Sequence, residues 1–198
     1  MIELLTVCTG NVARSPLAEV LLRARLRGLG IRVTSAGTRA LIGHPMTLEA
    51  QVLAEAAGAR AADAEAHRAR LLTERELAAP ALVLAMAREH RRAAVELAPQ
   101  KLRSTFTVRE FARLAATVPD DALVAALEGL HDPSDRLRAA LSLVSAARSA
   151  SAPPDDPEDD DVVDPYRRSH RTYDLAAAQL TPAIDEVARV LRIVAGRA

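Results

Sequence analysis

Short aliphatic runs alternate with segments of helical period over the first 118 residues, and this constrains the fold more than any other feature of the chain. The first run, Ile2 to Val7, stops abruptly at Cys8-Thr9-Gly10-Asn11, which predicts a buried strand ending in a loop. Ser15-Pro16 follows, with Leu17, Val20, Leu21, Leu22 and Leu26 at helical spacing. Ser as N-cap with Pro in the first turn marks a helix start, and Gly28 and Gly30 mark its end. Further strands are predicted over Ile31–Ala36, Ala81–Met86 and, more weakly, Leu102–Phe106. Helices are predicted over Thr47–Ala57, Arg88–Leu97, Val108–Ala116 and Tyr173–Ala195. Strands alternating with helices imply an α/β fold: three layers, a parallel sheet with helices on both faces, and right-handed crossovers. Such sheets bind ligands beyond the carboxyl ends of their strands, where Cys8 falls.

Composition removes several function classes. Phe106, Phe111, Tyr166 and Tyr173 are the only aromatics, so the core is aliphatic and a stacking surface for single-stranded nucleic acid is excluded. Lysine plus arginine and aspartate plus glutamate both number 26, so no simple charge argument for a nucleic-acid partner survives. A single cysteine allows no internal disulfide and no multi-cysteine metal site. The chain has no apolar run approaching the ~18 residues of a membrane span, and its N-terminus lacks signal-peptide features. The expected location is therefore the cytoplasm, with no membrane contact and a reduced thiol.

Pro119–Asp161 differs in character. It holds 11 acidic and 3 basic residues, leaving 15 acidic and 23 basic elsewhere, so a neutral total hides a basic body and an acidic insertion. Ala122–Leu130 and Leu137–Ala147 read as alanine-rich helices, and Asp155–Asp161 reads as a solvated acidic linker. The expected organisation is a single domain with a core of residues 1–118 and 162–198. The insertion at 119–161 would be separable, its charge able to repel anionic substrates or cover the cleft.

The segment that carries chemistry is Cys8-Thr9-Gly10-Asn11-Val12-Ala13-Arg14-Ser15-Pro16. Cysteine followed six positions later by arginine is weak alone in an arginine-rich chain. Gly10, Asn11, Ser15 and Pro16 in their places, inside a strand–loop–helix context, make the match specific. A loop entering a helix N-terminus can turn successive amides inward as an anion nest. Gly10 and Asn11 tolerate the left-handed backbone this needs. Arg14 can grip two oxygens of a tetrahedral oxyanion, and the Ser15 hydroxyl can donate to the sulfur. Together these favour an ionised Cys8 as nucleophile beneath a bound phosphorus centre. Transfer to sulfur also needs an acid for the leaving group, and Asp164 in Asp164-Pro165-Tyr166 is the candidate, desolvated by Val162 and Val163. Asp132-Pro133 competes, but a cap between two helices explains it.

Cys8 to Pro16, together with Asp164-Pro165-Tyr166, resembles the low-molecular-weight protein tyrosine phosphatase family over residues 1–118 and 162–195. Ser35-Ala36-Gly37-Thr38 is similar to that family's second signature. The resemblance implies a four-stranded sheet of order 2-1-3-4, a cysteinyl-phosphate intermediate, and no metal or organic cofactor. It assigns attack to Cys8, transition-state stabilisation to Arg14 and proton transfer to Asp164. Thr9, Gly10, Asn11, Val12, Ala13 and Ser15 would cradle the phosphate, with Leu41 and Tyr166 as cleft walls. Ser35 and His67 would hold Asn11. Ala13 replaces the family's frequent second cysteine, and Leu41 stands where an aromatic wall is usual. The implied partner is a phosphorylated protein or a small phosphate ester. An arsenate reductase of the same fold with a small-thiol partner, and a phosphate-sensing module without turnover, are the alternatives.

Overall fold

The computed structural model describes residues 1–196; positions 197 and 198 of the expected core lie outside them. Strands β1 (Ile2–Cys8), β2 (Ile31–Gly37), β3 (Leu82–Ala85) and β4 (Thr105–Thr107) form one parallel sheet of order β2-β1-β3-β4. Alternation along the strands feeds both faces. Leu4, Leu82, Leu84 and Phe106 join the larger core beneath α1 (Arg14–Arg25), α6 (Val108–Ala115), α8 (Pro133–Ala150) and α9 (His170–Val194). Leu5, Val7 and Val83 face a smaller core with Leu77 of α4 (Glu74–Ala78) and Ala94 of α5 (Arg88–Leu97). The three-layer α/β architecture is the one the alternation predicts.

Several local expectations need correction. Ser15 does not cap α1: the helix already includes Arg14, its N-cap is Ala13, and Ser15 turns into the loop. Leu102–Phe106 does not begin as a strand, because Pro99–Ser104 winds as a 3-10 turn and only Thr105–Thr107 pairs. Proline at a first helical turn favours winding over pairing. The short helices α3 (Ala61–Glu65) and α4 were not foreseen, each being too brief for a periodic signal. Asp132 does cap α8, accepting from the amides of Ser134 and Asp135 at 2.8 and 3.2 Å.

The region read as separable is built into the body. Leu137, Ala140 and Val144 of α8 are fully buried in the main core, alongside α7 (Asp120–Ala126) through Leu123. Arg148 lies 4.0 Å over the Phe106 ring, which meets Phe111 edge-on at a centroid distance of 5.4 Å. The acidic run is anchored at its end, where Asp160 pairs with Arg113 and Asp161 with Arg88 at 2.9 and 3.1 Å. Removing 119–160 would expose this apolar face, so the insertion cannot be treated as a detachable mask.

The two phenylalanines sit where α6 and α8 meet β4. Phe111→Ala is expected to cost about 3–5 kcal/mol of folding free energy, from lost burial and a residual cavity. Leu175→Ala, half exposed, is expected to change stability by no more than about 0.5 kcal/mol. Urea denaturation of both variants checks the contrast.

Candidate active site

The loop between β1 and α1 folds as it does because its carbonyls are taken from outside. The carbonyls of Cys8, Thr9, Gly10 and Val12 accept from the amides of Thr38, Arg39, Leu41 and Thr47 at 2.8–3.0 Å. In a trans peptide the N–H points opposite to the C=O, so the amides that follow these carbonyls face the other way, toward the cavity. The Asn11 amide shows the result, donating to Cys8 Sγ at 3.3 Å. Ser15 Oγ lies 3.0 Å from the same sulfur and accepts from Asn11 Nδ2 at 2.9 Å, so its proton can go to the sulfur or to the Ala36 carbonyl at 3.4 Å. Both contacts are placed to stabilise negative charge on Sγ.

Asn11 carries the loop's only left-handed residue, with φ of 55°. Gly10 does not share that conformation, contrary to the expectation that both would. Every polar atom of Asn11 has a partner. Its Nδ2 also donates to Ser35 Oγ at 2.8 Å, its Oδ1 accepts from the Arg70 amide at 2.9 Å, and its carbonyl accepts from His67 Nε2 at 2.8 Å. Ser35 Oγ in turn donates to Glu19 Oε2 at 2.5 Å. Burial pushes the Glu19 carboxyl up, but the His67 contact, the Arg23 charge and the Ser35 hydrogen bond outweigh it and hold the group below its ordinary value. Glu19 therefore stays ionised behind the loop. Ser35 and His67 stand where the resemblance put them; Glu19 and Arg70 went unread. A carboxylate inside the apolar stretch Leu17–Leu22 was the available signal for Glu19.

Arg14 is 5% exposed, and its Nη1 donates to the Val162 carbonyl at 3.1 Å. Its Nη2 lies 2.8 Å from Asp164 Oδ2 and 3.5 Å from Thr9 Oγ1. Cys8 and Arg14 thus meet Asp164, from far along the chain, in one place. Asp164 remains half exposed, so Val162 and Val163 do not desolvate it as expected. Its other oxygen accepts from the Tyr166 amide at 3.2 Å, fixing the turn at Pro165. These groups open on a cavity of about 170 Å³ lined by Thr9, Gly10, Val12, Ala13, Leu41 and Tyr166, with Arg39 unforeseen at the wall. No residue of 119–161 lines it, so the insertion does not cover the cleft. A larger hollow of about 590 Å³ beside α8 brings together no cysteine, histidine or carboxylate. Among the described residues no cluster of three or more potential metal ligands occurs, and no helix is long and apolar enough to cross a membrane.

Two supporting residues had no role in the sequence reading, Gly37 standing there only as a member of the Ser35-Ala36-Gly37-Thr38 signature. Gly37 is opposite Cys8 in the sheet, and a Cβ there would come within 2.5 Å of the Thr9 carbonyl oxygen. His90 is 1% exposed, with Nε2 2.8 Å from Thr9 Oγ1 and Nδ1 buried without a hydrogen-bond partner among the described residues. Burial, and then the Arg14 charge, push its imidazole down to about 3.

Comparisons with known proteins place the chain in a family. The family model "Low molecular weight phosphotyrosine protein phosphatase" matches residues 3–140. The chain belongs to that family of enzymes. It is 40% identical over 98 residues to the low molecular weight protein-tyrosine-phosphatase Etp of Escherichia coli (strain K12), covering 50% of this chain and 63% of that protein. It is 35% identical over 109 residues to a protein-arginine-phosphatase of Geobacillus stearothermophilus, covering 55% of this chain and 70% of that one. The crystal structure of a low molecular weight protein tyrosine phosphatase from T. tengcongensis superposes with a TM-score of 0.64 at 30% identity, over 96% of this chain and 99% of that chain.

Gly37→Ala is expected to push the loop off Cys8, with vanadate affinity falling at least about tenfold while the circular dichroism spectrum stays native. His90 makes a separate signature. The unfolded chain protonates it below about 6.5, whereas the native chain resists until about 3, so it erodes stability as pH falls through that window and has no effect above it. His90→Gln should flatten the stability curve there by up to about 1.4 kcal/mol per pH unit, read from urea midpoints.

Proposed function

We propose that the protein hydrolyses phosphate monoesters through a cysteinyl-phosphate intermediate, with aryl esters such as phosphotyrosine on proteins as the substrate class. The observation that carries this reading is the convergence of Cys8 Sγ, the buried Arg14 guanidinium and the Asp164 carboxyl on one small cavity. Cys8 sulfur attacks phosphorus, the bond from phosphorus to the ester oxygen breaks, and Asp164 gives its proton to that oxygen. A water then attacks phosphorus and yields its proton to Asp164, while the sulfur–phosphorus bond breaks and phosphate leaves. Loop amides and Arg14 hold the equatorial oxygens throughout.

In the free protein Arg14 is paired with Asp164. One partner is half exposed, so the pair is worth no more than about 1 kcal/mol. A phosphate dianion offers Arg14 two charge-assisted bonds instead, and its arrival frees the half-exposed Asp164 to take a proton from solvent and turn toward the leaving oxygen. Val12, Leu41 and Tyr166 form apolar walls suited to a phenyl ring. Asp164 is the only carboxylate on the wall and Arg39 adds a second cation, a poor surround for the guanidinium of a phosphoarginine. The arginine-phosphatase relative makes phosphoarginine the comparison substrate all the same.

Turnover of aryl phosphate and of phosphoarginine tests the reading. Cys8→Ser and Arg14→Ala should abolish aryl phosphate hydrolysis, and Asp164→Asn should slow it by about a hundredfold or more, most for poor leaving groups. Full activity in Cys8→Ser would overturn the mechanism, and faster turnover of phosphoarginine would overturn the substrate class.

A further inference from the structure

Helix α5 begins without a cap of its own, since its N-cap is Ala87, whose methyl group can accept nothing. The missing acceptor comes from 73 residues further along the chain. Asp161 Oδ1 accepts the Arg88 backbone amide at 2.8 Å, and the Arg88 side chain closes on both oxygens of the same carboxylate at 3.1–3.3 Å. A carboxylate is also the favoured group at a helix N-terminus. Asp161 lies three residues before Asp164, and the backbone between them is fixed at each step. The Asp161 carbonyl accepts from Arg109 Nη1 at 2.8 Å, the Val162 amide donates to the Met86 carbonyl at 2.8 Å, and the Val163 amide donates to Gln179 Oε1 at 2.9 Å. The Val162 carbonyl receives Arg14 itself.

The same first turn of α5 carries His90, which holds Thr9 next to the nucleophile. One helix end therefore locates both loops, through a backbone amide on one side and an imidazole on the other. We propose that Asp161 is a positioning residue for Asp164: by capping α5 it sets the distance between the acid and Cys8. The inference rests on Asp164 being the general acid. Asp160, paired with Arg113 on α6, steadies the approach to the loop but does not touch α5.

A misplaced acid costs most when the leaving oxygen needs a proton most. With Asp161→Ala, kcat/KM for phenyl phosphate should fall about tenfold to a hundredfold, while that for 2,4-dinitrophenyl phosphate changes by less than about threefold. Vanadate affinity, which reports the Cys8 loop and Arg14, should stay within about twofold. Asp161→Asn keeps an acceptor for the Arg88 amide and should restore most of the phenyl phosphate rate. Asp161→Glu keeps the charge and the ion pair but moves the loop by a methylene, so it should reproduce the leaving-group effect of Asp161→Ala even if the alanine variant fails to fold. Equal losses on both substrates, or wild-type behaviour of Asp161→Glu, would overturn the proposal. Asp164→Asn is the control: steep leaving-group dependence there with none in the Asp161 variants sinks this inference alone, whereas none in Asp164→Asn sinks the acid assignment beneath it.

Discussion

The site depends on the left-handed backbone of Asn11. That conformation costs an L-residue roughly 1–2 kcal/mol, less for asparagine, and something must hold it in place. Five hydrogen bonds do, each worth about 1 kcal/mol net, to Cys8, Ser15, Ser35, His67 and Arg70. Their partners come from β1, α1, β2 and the chain around residue 70, so the loop is shaped by four separated segments at once. Loss of the bond from His67 or Arg70 leaves a buried oxygen of Asn11 unpaired, a penalty larger than the bond's net worth. The loop is accordingly rigid and preformed, as electrostatic stabilisation of a developing charge requires.

Behind Asn11 the charge is graded rather than uniform. Glu19 is ionised and buried, held by Arg23, Ser35 and His67. In front, the loop amides and Arg14 present positive potential to the cavity. His90 lies beside Arg14 and stays neutral because burial and the Arg14 charge both disfavour its protonated form, even with Glu89 Oε1 3.3 Å from its Nε2. Oriented hydrogen bonds thus separate a buried negative charge from an electropositive cavity across a few ångströms.

Residues 119–161 add to the body without lining the cleft. α8 covers the sheet flank at β4 and α6, around the chain's two phenylalanines, and the acidic run ends by binding arginines of α5 and α6. Two of its carboxylates, Asp160 and Asp161, pair with those arginines, next to the loop that leads to Asp164. Charge counts along the sequence recorded the opposite signs of insertion and body. They could not show that the two meet, because pairing depends on where the helices lie.

The sequence by itself determined the sheet, its helical cover and the position of Cys8 at a strand end. Those follow from hydrophobic periodicity and from loop chemistry confined to nine consecutive residues. It also named Arg14 and Asp164 as candidates through motifs whose members are local, whereas Ser35 and His67 came from the family resemblance. Only the tertiary structure decided that Gly37 must lack a Cβ, that Glu19 and Arg70 brace the loop, that His90 reaches Thr9, and that Asp161 caps a helix 73 residues away. Each of those is a contact between segments distant along the chain, and local pattern holds no information on which distant segments the packing of a core will bring within 3 Å.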